Sequence, residues 1–366
     1  MKYRILAASL LATVILFTVA YSQIGFQDVL DTPARISPLA PRTLYNGITM
    51  AGKRLISVGQ RGHIVYSDDQ GKSWIQAAVP VSSDLTAVTF PTPQQGWAVG
   101  HDGVVLHSAD GGVNWIKQFD GRAAGQVMSA HHKALKNCSN CHDNIAPPKE
   151  GPQGSESVIM EEIKSFTEKG PDKPFLDVWF DSETTGYIVG AFNLIFRTAD
   201  GGKSWEPWFD RTENKKRLHL YAIRPVGQDL FICGEQGLLL KLDKPSGQFK
   251  AQKVPYNGTL FGLIGKPGLV LAYGMRGNLF RSTDGGATWQ KIETGLPLGL
   301  SGSTVTTDGG IILLSQAGHL LVSRDDGASF NLIKQDQPFI STTVIALDAK
   351  NLMLAGLHGM QARALK

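Results

Sequence analysis

The most chemically specific motif in the sequence is Cys138-Ser-Asn-Cys141-His142, which has the C-x-x-C-H spacing of covalent haem attachment. Two thiols at this spacing bond the haem vinyl groups, and the adjacent histidine ligates the iron. The motif therefore predicts a haem c with His142 as the metal ligand. Candidates for the opposite side of the iron are Met128, His131, His132 and Met160, followed by His101 and Met275, and an open position is the alternative.

The same residues allow two other interpretations. Cys138 and Cys141 could bind zinc together with His131, His132 or His142, or they could form a local disulfide or stay as free thiols. The chain has three cysteines, which excludes a disulfide framework. The third, Cys233, lies in an apolar strand pattern and is expected to be a small buried hydrophobic residue.

Aspartates recur in a second motif, [ST]-x-D-x-G-x-[STN]-[WF], which is known as the Asp-box. Its carboxylate can accept hydrogen bonds from its own turn, its glycine permits a positive φ, and its aromatic ring can pack against a neighbouring unit. Five copies indicate a repeated structural hairpin rather than five catalytic or calcium-binding sites. The copies contain Asp69 and Trp74, Asp110 and Trp115, Asp200 and Trp205, Asp284 and Trp289, and Asp325 and Phe330.

Pairs of glycines three residues apart precede the Asp-boxes and recur about every 41 residues. Each unit has four short strand patterns, so the sequence predicts an all-β fold, a seven-bladed β-propeller spanning residues 23–366. An insertion over residues 121–174, with helical patterns at 122–137 and 156–169, separates the second and third units. The last unit offers three strands, and residues 25–35 are expected to supply the fourth.

The first 22 residues have the features of an export signal. Lys2 and Arg4 precede an apolar run, and Ala20-Tyr-Ser22 favours cleavage before Gln23. The alternative is an uncleaved N-terminal membrane anchor. Either reading places the mature protein in a periplasm or lumen. A net charge of +4 is too small to indicate a nucleic-acid-binding protein. The sequence identifies no small-molecule substrate.

In a four-stranded blade, the turns between the second and third strands (B–C turns) lie on the same face as the connections between blades (D–A connections). The Asp-boxes lie on the other face. The insertion is therefore expected to emerge on the B–C/D–A face. Residues that vary between units on this face are the best binding candidates. They are Arg61, His101, Asp102, Phe192, Gln236, Arg276 and His358.

The Asp-boxes, the Val-Gly-x-x-Gly turns and the segment Gly25-Phe-Gln-Asp-Val-Leu30 together resemble the photosystem II stability/assembly factor family of cyanobacteria and plastids. The resemblance covers residues 25–366. It implies a non-enzymatic scaffold that binds an inner-membrane or thylakoid-type protein complex or intermediate, partly through arginines. Arg61 and Arg276 match best by position, followed by Arg197 and Arg281. The C-x-x-C-H insertion departs from the family pattern.

Two other functions compete with a scaffold. A haem c on the insertion would make the protein an electron-transfer or redox-sensing module. Sialidases also carry Asp-boxes, and Arg35-Ile-Ser-Pro38 faintly matches their Arg-Ile-Pro entry motif. A sialidase has six units rather than seven, however, and its Asp-boxes lie away from the catalytic face. A glycosidase is therefore the least favoured reading.

Overall fold

Short antiparallel strands joined by glycine turns make up most of the computed structural model, which describes residues 27–137, 171–334 and 339–365. These residues form seven sheets, and each sheet is built from one continuous stretch of chain. The predicted seven-bladed β-propeller is confirmed.

Within each blade the strands pair in sequence order, so every connection within a blade is a simple hairpin. Blade 1 contains β1 (Tyr45–Ala51), β2 (Arg54–Gly59), β3 (Ile64–Ser67) and β4 (Ile75–Gln76). Blade 2 contains β5 (Leu85–Thr89), β6 (Gly96–Gly100), β7 (Val105–Ser108) and β8 (Ile116–Phe119). Blade 3 contains β9 (Phe175–Phe180), β10 (Gly186–Gly190), β11 (Ile195–Thr198) and β12 (Glu206–Pro207).

The remaining blades continue the pattern. Blade 4 contains β13 (Leu220–Val226), β14 (Asp229–Gly234), β15 (Leu239–Asp243) and β16 (Gln248–Ala251). Blade 5 contains β17 (Leu260–Lys266), β18 (Leu269–Gly274), β19 (Leu279–Ser282) and β20 (Gln290–Ile292). Blade 6 contains β21 (Leu300–Val305), β22 (Ile311–Ser315), β23 (Leu320–Ser323) and β24 (Asn331–Ile333), and blade 7 contains β25 (Ser341–Ala346), β26 (Asn351–Gly356) and β27 (Gly359–Ala364).

The second strand of each blade is the most deeply buried. In β18 and β22, for example, every residue is buried. These strands are apolar on both faces because neighbouring blades cover both sides of each sheet. Cys233 lies in β14 and is fully buried, and burial raises the pKa of its thiol.

The Asp-box turns are closed by their own polar side chains. In the first turn, the Asp69 carboxylate accepts the Ser73 N–H at 2.9 Å and the Ser73 hydroxyl at 2.6 Å. The Ser67 hydroxyl donates to Asp69 at 2.8 Å and accepts the Gly71 N–H at 2.8 Å. The same pattern holds Asp110, Asp200, Asp284 and Asp325.

The aromatic ring of each Asp-box packs against the preceding blade. Trp205 of blade 3, for instance, contacts Phe119 of blade 2 at a centroid distance of 6.3 Å. Trp115 and Trp205 are buried, whereas Trp74, Trp289 and Phe330 are half-buried. The rings therefore join consecutive sheets around the propeller.

The prediction that the N-terminal stretch supplies a fourth strand to blade 7 is wrong for the described residues. Residues 27–35 lie against blades 1 and 2, where the Ala34 N–H donates to Val79 at 3.0 Å and Val29 accepts the Ser82 N–H at 2.8 Å. Leu30 and Ala34 are held there because they bury in the core cluster shared by those blades. In the described residues blade 7 has three strands.

The ring closes through side chains instead. The Thr342 hydroxyl of blade 7 donates to the Tyr45 carbonyl of blade 1 at 2.6 Å. A small core cluster completes the junction between these two blades. It consists of Ala40, Tyr45, Val65 and Ala355, with Trp74 and Met360 packed against it.

A helix α1 (Gly121–Asn137) follows β8 directly. Asp120 caps its first turn, because the carboxylate accepts the N–H groups of Arg122 at 3.0 Å and Ala123 at 3.3 Å. The second expected helix, at 156–169, lies outside the described residues. Within residues 27–137, 171–334 and 339–365, no helix has the length and apolar character needed to cross a membrane.

Candidate functional site: the B–C/D–A face

Five B–C turns hold a side chain in an unusual backbone conformation. The central residue of each turn has a positive φ between 52° and 59°, in the left-handed region that favours glycine. The residue that follows each of them also has a positive φ. These central residues are Arg61, Asp102, Phe192, Gln236 and Arg276.

Four of these turns end in a glycine. Another backbone segment approaches each of these glycines so closely that a side chain would not fit. A Cβ at Gly62 would lie 2.1 Å from the Val81 carbonyl oxygen, and one at Gly277 would lie 1.8 Å from that of Leu296. Val81 and Leu296 belong to D–A connections, so these connections pack directly on the B–C turns. The Arg61 N–H also donates to Asp84 of such a connection at 2.7 Å. Turns and connections therefore share one face.

This face exposes both cations and large apolar side chains. Arg61, His101, Arg276 and His358 are exposed, and so is Gln236. Five of the exposed large apolar residues also lie in B–C turns or D–A connections. They are Phe192, Met275, Leu298, Ile340 and Leu357.

Two of the expected arginines lie elsewhere. Arg281 is in β19, and its Nε donates to the Asp326 carbonyl at 2.8 Å in the Asp-box turn of blade 6, on the opposite face. Arg197 is in β11, where its guanidinium lies 5.4 Å from the Trp208 ring centroid. Each directly precedes an Asp-box in the sequence, so its position already pointed to a third strand near the opposite face, and its side chain packs along the blade.

Helix α1 extends from this face over blade 3. It starts beside the B–C turn of blade 2, where a Cβ at Gly103 would lie 2.8 Å from Gly121. Ala124 and Met128 bury in the core cluster that contains Trp208 and Phe209. The insertion thus leaves the propeller on the B–C/D–A face, and Pro171 near its end also packs against Gly121.

The candidate iron ligands on α1 differ in accessibility. Met128 is 1% exposed in an apolar cluster, so its sulfur could reach an iron only by leaving the core. His131 is half-buried, with Nε2 at 3.5 Å from an Asp210 oxygen and its ring edge-on to Phe209. His132 is also half-buried. Met160 and the motif residues Cys138, Cys141 and His142 lie outside the described residues.

A channel along the propeller axis was not foreseen from the sequence. The first strands of all seven blades line a cavity of about 180 Å³. Asp177 of β9 pairs with Arg224 of β13 in its wall, and Asp177 is buried whereas Arg224 is half-exposed to the channel. The missed signal was a charge in each of two otherwise apolar innermost strands, 175–180 and 220–226. Within the described residues, no group of three His, Cys, Asp or Glu side chains is arranged to hold a metal.

The fold and this face define a class of protein: a seven-bladed Asp-box propeller with a loop face that carries cations and apolar side chains. Comparisons with known proteins specify the class further. Residues 162–290 match the family model described as photosynthesis system II assembly factor YCF48.

Curated relatives include the photosystem II assembly lipoprotein Ycf48 of Synechococcus strain CC9902. It is 27% identical over 157 residues, which cover 42% of this chain and 46% of the relative. The chloroplast photosystem II stability/assembly factor HCF136 of Arabidopsis thaliana is 18% identical over 258 residues, covering 54% of this chain and 63% of the relative. The chain thus spans about half to two thirds of the length of these relatives.

Solved structures of the same fold include YCF48 bound to a D1 peptide, with a TM-score of 0.63, 14% identity, and coverage of 91% of this chain and 98% of that one. YCF48 from Cyanidioschyzon merolae gives a TM-score of 0.62 at 14% identity, with the same coverage. The predicted resemblance to the photosystem II stability/assembly factor family is confirmed by the family model, the curated relatives and the seven-bladed fold.

Proposed function

We propose that this protein is a non-catalytic scaffold that binds a membrane-protein complex or assembly intermediate through the B–C/D–A face. The relatives are assembly factors, and one solved relative holds a D1 peptide. The structural support is the set of five B–C turns that carry Arg, Asp, Phe, Gln and Arg at a left-handed position. A non-glycine residue there costs of order 1 kcal/mol or more, so five non-glycine side chains of four types at this position favour a role in recognition.

The proposal is tested by affinity capture from solubilised membranes of the source organism. The variant Arg61→Gln with Arg276→Gln removes two cations from the B–C/D–A face. Because an exposed charge contributes to the association rate and the register of a complex, the captured complex should fall several-fold. The matched control is Lys72→Gln with Lys203→Gln, which removes two exposed lysines from Asp-box turns on the opposite face.

The two variants separate a specific face from a general charge effect. Equal capture by both variants would refute the assignment to Arg61 and Arg276. A loss with the Asp-box variant alone would move the interface to the other face. Capture should also weaken as salt rises, since exposed ion pairs are screened within about 8 Å at physiological ionic strength.

A location outside the cytoplasm is part of the proposal. It is supported by the basic head, apolar run and Ala-Tyr-Ser site in residues 1–22. Cell fractionation should recover a protein that starts at Gln23, or a membrane-bound form if the segment stays as an anchor. Recovery of an intact N-terminus in the cytoplasmic fraction would contradict export.

A covalently bound haem c is a second proposal, and the C-x-x-C-H motif is what supports it. Cys138 and Cys141 would hold the haem and His142 would ligate the iron, which would supply one-electron redox chemistry. Protein from its native compartment should show a Soret band that survives denaturation. Cys138→Ser with Cys141→Ser should abolish this band, whereas Cys233→Ala, which alters a buried cysteine, should retain it. Protein without the band would leave the scaffold proposal intact and refute the haem.

A hydrolase is the least supported function. Arg35, the residue of the faint sialidase motif, lies beside β4, where its carbonyl accepts a hydrogen bond from Gln76 at 3.0 Å. It is therefore at the outer strand of blade 1 and does not line the axial channel. Release of a fluorophore from a sialoside would overturn the non-catalytic proposal.

A further inference from the structure

Strand β27 is an open sheet edge in the described part of the chain. It pairs with β26 along all six of its residues. On its other side it makes no backbone hydrogen bond within residues 27–137, 171–334 and 339–365, whereas the third strand of every other blade is covered by a fourth. About half of the N–H and C=O groups of such an edge point outward and need a partner.

The side chains of β27 also differ from those of the other third strands. Two residues after the B–C turn, six blades bury an aliphatic side chain, and blade 7 has Gln361 instead. The aliphatic residues are Ile64, Val105, Ile195, Leu239, Leu279 and Leu320. Gln361 Oε1 is buried without a hydrogen-bond partner, and so is Arg363 Nε. One is an acceptor and the other a donor, and both are on the same side of the strand, two residues apart.

These two groups complement each other when β27 pairs with a second β27. Antiparallel pairing centred on Ala362 places Gln361 directly opposite Arg363 of the other copy, and the reverse. Residues directly opposite across an antiparallel pair have Cβ atoms about 4.5–5.5 Å apart on the same side of the sheet. Once both side chains turn outward from their half-buried positions, the amide oxygen of each Gln361 accepts from the guanidinium of the other copy, so each unpaired group gains one partner.

The rest of the edge presents no barrier to this pairing. Ala362 and Ala364 are exposed and small. The strand contains neither proline nor lysine, the residues with which proteins commonly blunt an exposed edge. We propose that the protein forms a two-fold symmetric homodimer in which the β27 strands of two copies join blade 7 into one continuous sheet. The same patch serves both copies, as two-fold symmetry requires.

Charge substitutions test the pairing in the full mature chain. In sedimentation velocity, the unmodified protein should show a sedimentation coefficient that rises with concentration. Gln361→Lys places a cation opposite Arg363 of the other copy and should keep the protein monomeric. Adding Arg363→Glu should restore the dimer, since the ammonium introduced at position 361 then faces a carboxylate. Gln290→Lys, at an exposed position on edge strand β20 of blade 5, is the matched control and should dimerise normally.

A cross-link tests the register. In a Cys138→Ser, Cys141→Ser background, Ala362→Cys places two cysteines opposite each other on the dyad, and mild oxidation should yield a disulfide-linked dimer. Ala364→Cys is equally exposed, but it lies opposite Met360 of the other copy. Its partner cysteine is about 14 Å away along the strand, so this variant should stay unlinked.

Each other outcome overturns the proposal. A monomer at every concentration with no Ala362→Cys cross-link would exclude the dimer. A dimer that persists in Gln361→Lys would use another surface. Dimerisation that appears only after deletion of the residues before Gln27 would show that the edge is covered by the N-terminal segment of its own chain. Cross-linking of Ala362→Cys to a different protein in cell extracts, with no self-linked product, would assign the edge to a foreign strand.

Discussion

Two boundaries in the ring differ in how extensively the neighbouring blades pack. One lies between blades 2 and 3, and the other lies between blades 7 and 1. At the first, Trp97 of blade 2 stacks on Phe180 of blade 3 with ring centroids 3.7 Å apart, and Phe119 of blade 2 lies 6.3 Å from Trp205 of blade 3. At the second, four small or single-ring buried residues form the cluster, and Trp74 is half-buried.

The difference shows that the ring is not uniform even though its repeat is. Each Asp-box ring packs against the preceding blade, so the local design is the same at both boundaries. The insertion adds α1 and its buried Ala124 and Met128 to the blade 2–3 side. The other boundary lacks such an added helix in the described residues, and residues 40–45 provide the contact. We therefore expect the ring to open first between blades 7 and 1.

The largest loss of stability is expected at the blade 2–3 boundary. Trp97→Ala removes a ring that is 1% exposed and leaves the Gln118 carbonyl without the Trp97 Nε1 donor at 3.1 Å. Truncating a fully buried Trp costs about 3–5 kcal/mol. Denaturant titration should show this loss in the free energy of unfolding. A loss below about 1 kcal/mol would show that this boundary does not carry the stability of the ring.

Loss of the Asp177–Arg224 ion pair in the axial channel should cause the second-largest loss of stability. Asp177→Asn leaves Arg224 without a counter-charge and weakens the acceptor for the Ile223 N–H at 2.7 Å. Removing one partner of a fully buried pair costs about 3–5 kcal/mol, and we expect about 2–3 kcal/mol here, since Arg224 faces the channel. The double variant Asp177→Asn with Arg224→Met, measured by the same titration, should recover part of the loss. Equal stability of the single variant and the unmodified protein would mean that channel water replaces the carboxylate.

Trp74→Ala should cost less than Trp97→Ala. The Trp74 ring is half-buried at the blade 7–1 boundary, so the expected loss is about 1–2 kcal/mol. The sharper readout is hydrogen exchange, which should accelerate in β26 and β27 while β6 and β10 stay protected. Uniform acceleration across all blades would contradict a weak closure.

The smallest expected effect is the pH dependence of the stability that Asp69 contributes. Asp69 belongs to the Asp-box of blade 1, beside the boundary with blade 7. Hydrogen bonds from the hydroxyl and N–H of Ser73 lower the pKa of Asp69 from 3.8 to about 2. A carboxyl with a depressed folded pKa contributes stability at neutral pH, which is lost as the pH falls from about 4 through 2. Asp69→Asn should therefore lower the urea midpoint at pH 7, and the gap to the unmodified protein should narrow towards pH 2. A gap that is independent of pH would show that the charge of Asp69 does not matter.

Much of the fold was determined by local sequence. Aspartate, glycine and aromatic residues at fixed spacing close a hairpin by contacts within eight residues, so Ser67 to Trp74 could be read without any tertiary information. The 41-residue recurrence then set the number of blades. The B–C/D–A face followed from strand order, because hairpins alternate between the two ends of a blade.

Only the tertiary structure decided the contacts between distant segments. Residues 27–35 could have extended blade 7, but Leu30 and Ala34 are buried in the core cluster between blades 1 and 2. Arg281 and Arg197 were expected on the same face as Arg276, yet their side chains pack along the blades. The Asp177–Arg224 pair joins two blades across the channel wall. Such contacts depend on how sheets are packed around the axis, and a repeat that specifies each sheet separately does not encode that packing.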